Sequence, residues 1–300
     1  MTRAAYLERL ATRTSAVGSV LCLGLDPDPA ALPPPFTKDL DGVEAFARLL
    51  LSAALPHAAA VKPNLAFFEV FGASGMAALE RLRSVIPADV PVIADAKRGD
   101  IGSTSARHAA ALFDALGADA VTVSPYLGEE AIAPLLDRPD RFAYVLCRTS
   151  NPGAHEIQDL EVAADASLGA PAEPLWARVA RRAAAWGGGG IGAANASGTV
   201  GLVVGATAPA ELAAVRNIAP GLAFLVPGVG AQGGDIGRVL DAGPARAEPA
   251  GGRPGGGLLV NVSRGIAGAA TTEKPGGPSD AGERLAKAAA DWAGRLPVLS

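Results

Sequence analysis

What this 300-residue chain has little of narrows it first. It holds two cysteines, three histidines and few aromatic residues. Cys22 and Cys147 both fall in apolar runs that read as strands. They predict buried free thiols in a reducing compartment rather than a disulfide framework. His57, His108 and His155 are too dispersed for a metal triad and read as surface or capping residues. Positive charge is not in excess: 26 Lys and Arg against 30 Asp and Glu leave a net charge of -4. With no long basic run and no basic stripe interleaved with aromatics, a nucleic-acid surface is not expected. No stretch approaches the ~20 apolar residues that a membrane helix needs. The opening MTRAAYLERLATRTSAVGSV carries charges at helical spacing and no continuous apolar segment, so it does not read as a signal peptide. The expectation is a cytoplasmic globular protein with no membrane partner, and 49% hydrophobic residues suffice for a large core.

What is present is a recurring pattern. Short apolar runs read as strands at SVLCLGL (19–25), AAVKPNL (59–65), VPVIADA (90–96) and DAVTVSPY (119–126). More follow at FAYVLCR (142–148), VGLVVGA (200–206), AFLVPGV (223–229) and LLVNVSR (258–264). Several are almost wholly apolar, as strands covered on both faces should be. Helix-like segments separate them, at 42–55, 73–86, 104–116, 129–137, 173–186, 208–217 and 234–241, with one more at 279–294. Strands alternating with helices point to a parallel sheet. Eight such units in one chain fit an α/β fold of the closed (β/α)8 TIM-barrel kind, a single domain over 1–300. An open nucleotide-binding sheet would want a GxGxxG run between its first strand and helix, and none stands there. The Gly-, Ala- and Pro-rich stretches 186–200 and 243–257 read as flexible insertions that cannot pack a core, and 271–280 reads the same way.

The run PVIADAKRGDIGSTS (91–105) ends a strand in charge. Side chains at i and i+2 of a strand share a face, so Asp95 and Lys97 should project together if the extended conformation persists that far. In a barrel of this kind the C-terminal strand ends form the mouth where chemistry occurs. Other strand ends carry Asp26, Lys62, Thr149 and Ser150, Gln232, and Arg264. Asp100 reads two ways, as a helix cap or as part of the charged group; Ser103, Thr104 and Ser105 are natural caps, which frees it. Any one of these charges alone would pass for a solvated strand end. Together, alternating Lys and Asp hold one another ionised. A lysine held cationic is a proton donor rather than an imine-forming nucleophile. An aspartate held anionic can repel a substrate carboxylate, favouring its loss as carbon dioxide, while the ammonium stabilises and then protonates the carbanion.

PGVGAQGGD and SRG follow the seventh and eighth strands, where barrels of this kind often hold phosphate. The glycines expose backbone N–H groups, and a helix start near Gly233 to Ile236 would favour an anion. Arg264 can grip phosphate with two parallel bonds and Gln232 can add one. The plainer reading is that these glycines only make turns.

These residues resemble the orotidine 5′-phosphate decarboxylases. DAKRGDIGSTS fits that family's D-x-K-x-x-D signature, and VKPNLAFFE, SPYLGEE, RTSNPGA, PGVGAQGGD and NVSRG look like its long, type 2 bacterial branch. The resemblance runs from Leu23 to about Gly265. It implies a homodimeric (β/α)8 barrel that turns orotidine 5′-phosphate into uridine 5′-phosphate in pyrimidine biosynthesis, without metal or cofactor. It also implies the site. Lys62, Asp95, Lys97 and Asp100 match the catalytic tetrad, with Lys97 protonating C6, Asp95 against the departing carboxylate and Lys62 holding Asp95 and the ribose hydroxyls. Asp100 and Thr104 would reach into the neighbouring subunit's site. Asp26 would bind ribose hydroxyls, Ser150 the pyrimidine edge, and Gln232 and Arg264 the 5′-phosphate. The loop RTSNPGAHEIQDLEV would make a lid over the base.

Two other classes stay open on the residues alone. A metal-assisted decarboxylase or aldolase of an open-chain sugar phosphate would want further carboxylate ligands, for which Glu69 is the nearest candidate although it reads as flanking a helix. A non-catalytic nucleotide-binding barrel would have no need of two Lys and two Asp in this arrangement.

Overall fold

In a computed structural model of the chain, residues 3–186, 198–230, 233–271 and 280–299 are described. Eight parallel strands form the barrel: β1 Leu21–Leu25, β2 Ala60–Pro63, β3 Ile93–Arg98, β4 Ala120–Val123, β5 Phe142–Arg148, β6 Val200–Val204, β7 Ala223–Val226 and β8 Leu259–Val262. Their spatial order follows the chain, with β8 beside β1. Single bridges from Val61 to Val92 and from Asn64 to Asp95 join β2 to β3 and close the ring. All eight apolar runs read from the sequence are barrel strands, because a strand covered inside and outside needs apolar residues at successive positions.

Alternation sorts those strands into two cores. Leu23, Val61, Ala94, Val121, Val145, Leu202, Phe224 and Val260 face outward onto the helices. Cys22, Ala60, Ile93, Ala120, Phe142, Tyr144, Val203, Leu225 and Leu259 fill the interior. α1 Tyr6–Val17 packs Tyr6, Leu7 and Leu10 onto the interior cluster, and the outer layer comprises α2 Leu40–Ala54, α3 Gly72–Val85, α4 Gly102–Ala109 (continued as a wider turn to Ala115), α5 Glu129–Leu136, α6 Leu175–Ala185, α7 Pro209–Ile218, α8 Ile236–Ala242 and α9 Ala281–Arg295. Asp39 caps α2 and Asp280 caps α9, each carboxylate accepting an N–H three residues on, at 3.0 Å. α1 delivers Tyr6 to the closed end of the barrel. Its ring stacks on Phe142 at 4.7 Å and its hydroxyl meets that of Tyr144 at 3.1 Å.

Two expectations change here. The stretch 243–257 packs: Ala250 is fully buried, and Ala245 and Arg246 donate N–H bonds to the carbonyls of Gly256 (2.9 Å) and Pro220 (2.8 Å). Its glycines answer to crowding rather than looseness. A Cβ on Gly257, which has φ +66°, would stand 2.8 Å from the Ala223 Cβ. Buried Arg216 anchors its start, donating to the carbonyls of Ala242 and Gly243 while stacking on Phe224 at 3.5 Å. Desolvation lowers its pKa to about 9. Nor do the serines cap α4. The helix begins at Gly102 after Ile101, and the Ser105 hydroxyl bonds the backbone N–H and C=O of Asp100 instead. Most of the 186–200 and 271–280 stretches lies outside the described residues. Cys22 and Cys147 are free and buried. Among the described residues no helix is long and apolar enough to cross a membrane.

Candidate active site

The interior positions climb in layers, and the layer at the C-terminal strand ends is polar. On β2 the inward sequence is Ala60 then Lys62; on β3 it is Ile93 then Asp95; on β4 it is Ala120 then Thr122. Register does the rest. Gly24 of β1 pairs with Lys62, and the β2–β3 closure sets Asn64 against Asp95.

Asp95 is the hub. Its Oδ2 accepts from Lys62 Nζ at 2.6 Å, and its Oδ1 accepts from Lys97 Nζ at 2.7 Å and from Thr122 Oγ1 at 2.9 Å. The two lysines differ: the Lys62 side chain is 7% exposed and that of Lys97 52%. Burial alone would raise the Asp95 pKa, but Lys62 and then Lys97 outweigh it and hold the carboxyl well below the usual range. Burial alone would lower that of Lys62, but Asp95 and Asp26 reverse it, leaving the ammonium above the ordinary lysine value. At neutral pH the carboxylate is anionic and Lys62 is a fixed cation. Cys22, one layer below, has its thiol pushed up to about 12 by burial and stays a neutral filler.

Above these groups opens a cavity of about 240 Å³ lined by Lys62, Asp95, Lys97, Thr122, Ser150 and Asn151, with an apolar wall that includes Leu146 and Pro227. Gly205 makes room for Ser150, since a Cβ there would lie 2.9 Å from the Ser150 Cα. The Gln158 side chain folds the loop after β5 back on itself, accepting the Thr149 N–H at 2.9 Å and donating to its hydroxyl at 2.8 Å.

The structure thus gathers Lys62, Asp95, Lys97 and Ser150 in one space. Asp26 stands beside them, half-buried after β1, with a buried Oδ1 that has no hydrogen-bond partner among the described residues. Asp100 and Thr104 do not line this cavity; the Asp100 carboxylate accepts the Ile101 N–H at 2.7 Å. Arg264 opens a one-turn helix, Arg264–Ala267, with its side chain exposed. Asp235 caps α8, placing a carboxylate where an anion was expected. Gln232 lies outside the described residues. Glu69 pairs with Arg98, away from the cavity lining. Among the described residues no three His, Cys, Asp or Glu side chains group as a metal site.

Sequence reasoning missed Thr122 and Asn261. Thr122 is the one hydroxyl inside the AVTV run, at the inward position level with Asp95. Asn261 occupies the inward position two residues beyond Leu259 and leaves a buried Oδ1 unpaired among the described residues. Counting inward positions along every strand would have found both.

Fold and site together define a (β/α)8 barrel with an anionic hub between two ammonium groups at its mouth. A family model described as orotidine 5′-phosphate decarboxylase / HUMPS matches residues 19–275. The orotidine 5′-phosphate decarboxylase of Thermomicrobium roseum is 48% identical over 261 residues, covering 87% of this chain and 86% of that protein. Among solved structures, Leishmania donovani OMP decarboxylase is similar at a TM-score of 0.77 and 37% identity, covering 97% of this chain and 96% of that one. The UMP synthase of the same organism is similar at 0.78 and 39%, covering 98% of this chain, which spans 56% of that longer protein. The chain belongs to the orotidine 5′-phosphate decarboxylase / HUMPS family.

Proposed function

We propose that this protein decarboxylates orotidine 5′-phosphate to uridine 5′-phosphate, a step of pyrimidine biosynthesis, and that Lys97 carries the proton. The supporting observation is Asp95 held anionic between Lys62 at 2.6 Å and Lys97 at 2.7 Å beside an open cavity. A substrate carboxylate set against Asp95 is repelled. Its bond to C6 breaks, the electron pair stays on C6, and carbon dioxide leaves. The Lys97 ammonium stabilises that carbanion and gives it a proton, becoming a neutral amine that solvent recharges. Lys62 keeps Asp95 ionised and, with Asp26, faces the ribose hydroxyls; the unpaired Asp26 Oδ1 is an acceptor suited to one. Ser150 reads the pyrimidine edge. Gln232 and Arg264 take the 5′-phosphate. No metal or cofactor enters the reaction, and the substrate is a free nucleotide in the cytoplasm rather than a nucleic acid.

Asp100 and Thr104 act in the site of a second copy. They lie off their own cavity, and apolar side chains flank them unburied: Ile101 is 62% exposed, Tyr126 86% and Leu127 54%. Glu130 ties these loops together by accepting the Gly102 N–H at 3.3 Å. A homodimer through this face would cover the patch and complete the tetrad.

The test is loss of the orotidine chromophore followed spectrophotometrically with purified protein in EDTA. Turnover is expected; none under these conditions would overturn the reading. Mixing Asp100→Asn with Lys97→Ala subunits should restore part of the activity, and no recovery would mean self-contained sites.

A further inference from the structure

β3 does not run regularly to its end. Its pairing with β4 slips between Ala94 and Arg98, where Ala94 faces Val121 but Arg98 faces Val123. The slip leaves Ala96 and Lys97 without ladder partners on β4. Lys97 has φ +48°, the only positive value at a non-glycine among the described residues. That conformation is uncommon for a long side chain and persists only where surroundings impose it.

One hydroxyl bonds the backbone at that turn. Thr122 Oγ1 accepts the N–H of Ala96 at 3.1 Å and that of Lys97 at 3.0 Å. Its own hydrogen goes to Asp95 Oδ1 at 2.9 Å. A threonine hydroxyl has one donor and two lone pairs, so its capacity is filled and the direction of each bond follows. The branched Cβ restricts the rotamer, and the side chain is buried. The same atom thereby fixes the backbone that carries Lys97 and the carboxylate oxygen that the Lys97 ammonium touches.

We propose that Thr122 is a positioning residue for the decarboxylation, holding the Lys97 backbone and the Asp95 carboxylate in register so that the ammonium meets the reacting carbon. This rests on the decarboxylase reading given above. It assigns to a residue inside an apolar strand run a role that the charged signature does not contain.

Thr122→Val keeps the shape and removes all three bonds; Thr122→Ser keeps the bonds. Turnover by the Val variant should fall about a hundredfold, the loss expected from a reacting group displaced by about an ångström. KM and affinity for uridine 5′-phosphate should stay within about threefold, since ground-state binding is left in place. The Ser variant should recover most of the rate. A merely structural threonine would lower the melting temperature without splitting kcat from KM. If Thr122→Val fails to fold, Thr122→Ala removes the same bonds and is measured instead. A wild-type kcat in the folded variant, or a loss confined to KM, overturns the proposal. A crystal structure of the variant is the second measurement and does not depend on turnover. It should show Lys97 out of its left-handed conformation and its ammonium apart from Asp95 Oδ1; unchanged geometry also overturns the proposal. Wild-type protein inactive on orotidine 5′-phosphate would sink the decarboxylase reading instead, and the crystal structure would still decide whether Thr122 sets the pair.

Discussion

At the mouth of the barrel Asp95 sits between two lysines; at the opposite end Asp119, fully buried just before β4, collects arginines. Arg9 reaches its Oδ1 at 2.8 Å, Arg3 bonds the same oxygen, and Arg83 and Arg141 stand 3.9 and 3.8 Å away. Its Oδ2 accepts the Val92 N–H at 2.7 Å, tying the start of β3 to that of β4. Both sites are an aspartate neutralised by cations. They differ in what the cations can give up. The arginines also bond backbone carbonyls, Arg83 that of Gly117 at 3.0 Å and Arg141 that of Ala118 at 2.9 Å, and a guanidinium does not release its proton. Lys97 has a transferable proton, a half-exposed side chain and a cavity before it. On the proposed reading, what separates the two is not the buried carboxylate with its cations but an exchangeable proton facing open volume.

The sharpest way to break this comparison is Lys97→Ala. Turnover should fall by about ten-thousandfold, the upper range for removing a general acid, while the melting temperature holds because the side chain is half exposed. A surviving rate would remove Lys97 as the donor. Asp119→Asn should do the reverse. Leaving the arginines without their anion should cost about 3 kcal/mol of unfolding free energy in urea titrations, with kcat of the folded protein unchanged. A fall in kcat at full stability would make the closed end part of the machinery.

The smallest effect is in acid. The Asp95 carboxyl binds its proton more weakly in the folded chain than in the unfolded one, where its pKa is about 3.9. Its contribution is complete above about pH 5 and is lost as pH falls toward the depressed folded value. The urea midpoint should thus fall more steeply with acid in the parent than in Asp95→Asn, by about one proton in the linkage slope. Equal slopes would mean that the lysines do not depress Asp95.

Much of this was legible beforehand. The eight apolar runs became the barrel strands because burial on both faces leaves little freedom in residue type. Lys62, Asp95 and Lys97 stand together, but Lys97 does so through a left-handed residue at a slip in β3 rather than through a strand extended to that point. The bulge at Lys97 was not legible, nor was Thr122, because a threonine in a strand reads as ordinary strand composition. The stretch 243–257 misled for a related reason: glycine marks both loose chain and chain pressed too closely for a Cβ, and composition does not separate the two. The α4 start misled because serines suit a cap anywhere near a helix, whereas here Ser105 was taken by the Asp100 backbone.

By itself the sequence determined the alternation of strands and helices, the family, and which charged residues stand at strand ends, since these follow from local periodicity and from motifs a few residues long. Only the tertiary structure decided that Asp95 touches both lysines, that Asp119 at the far end is ringed by arginines, and that one hydroxyl from β4 bonds the backbone at the end of β3. Those facts depend on register between strands distant in the chain, and side-chain chemistry acts across a few ångströms of space rather than along the sequence.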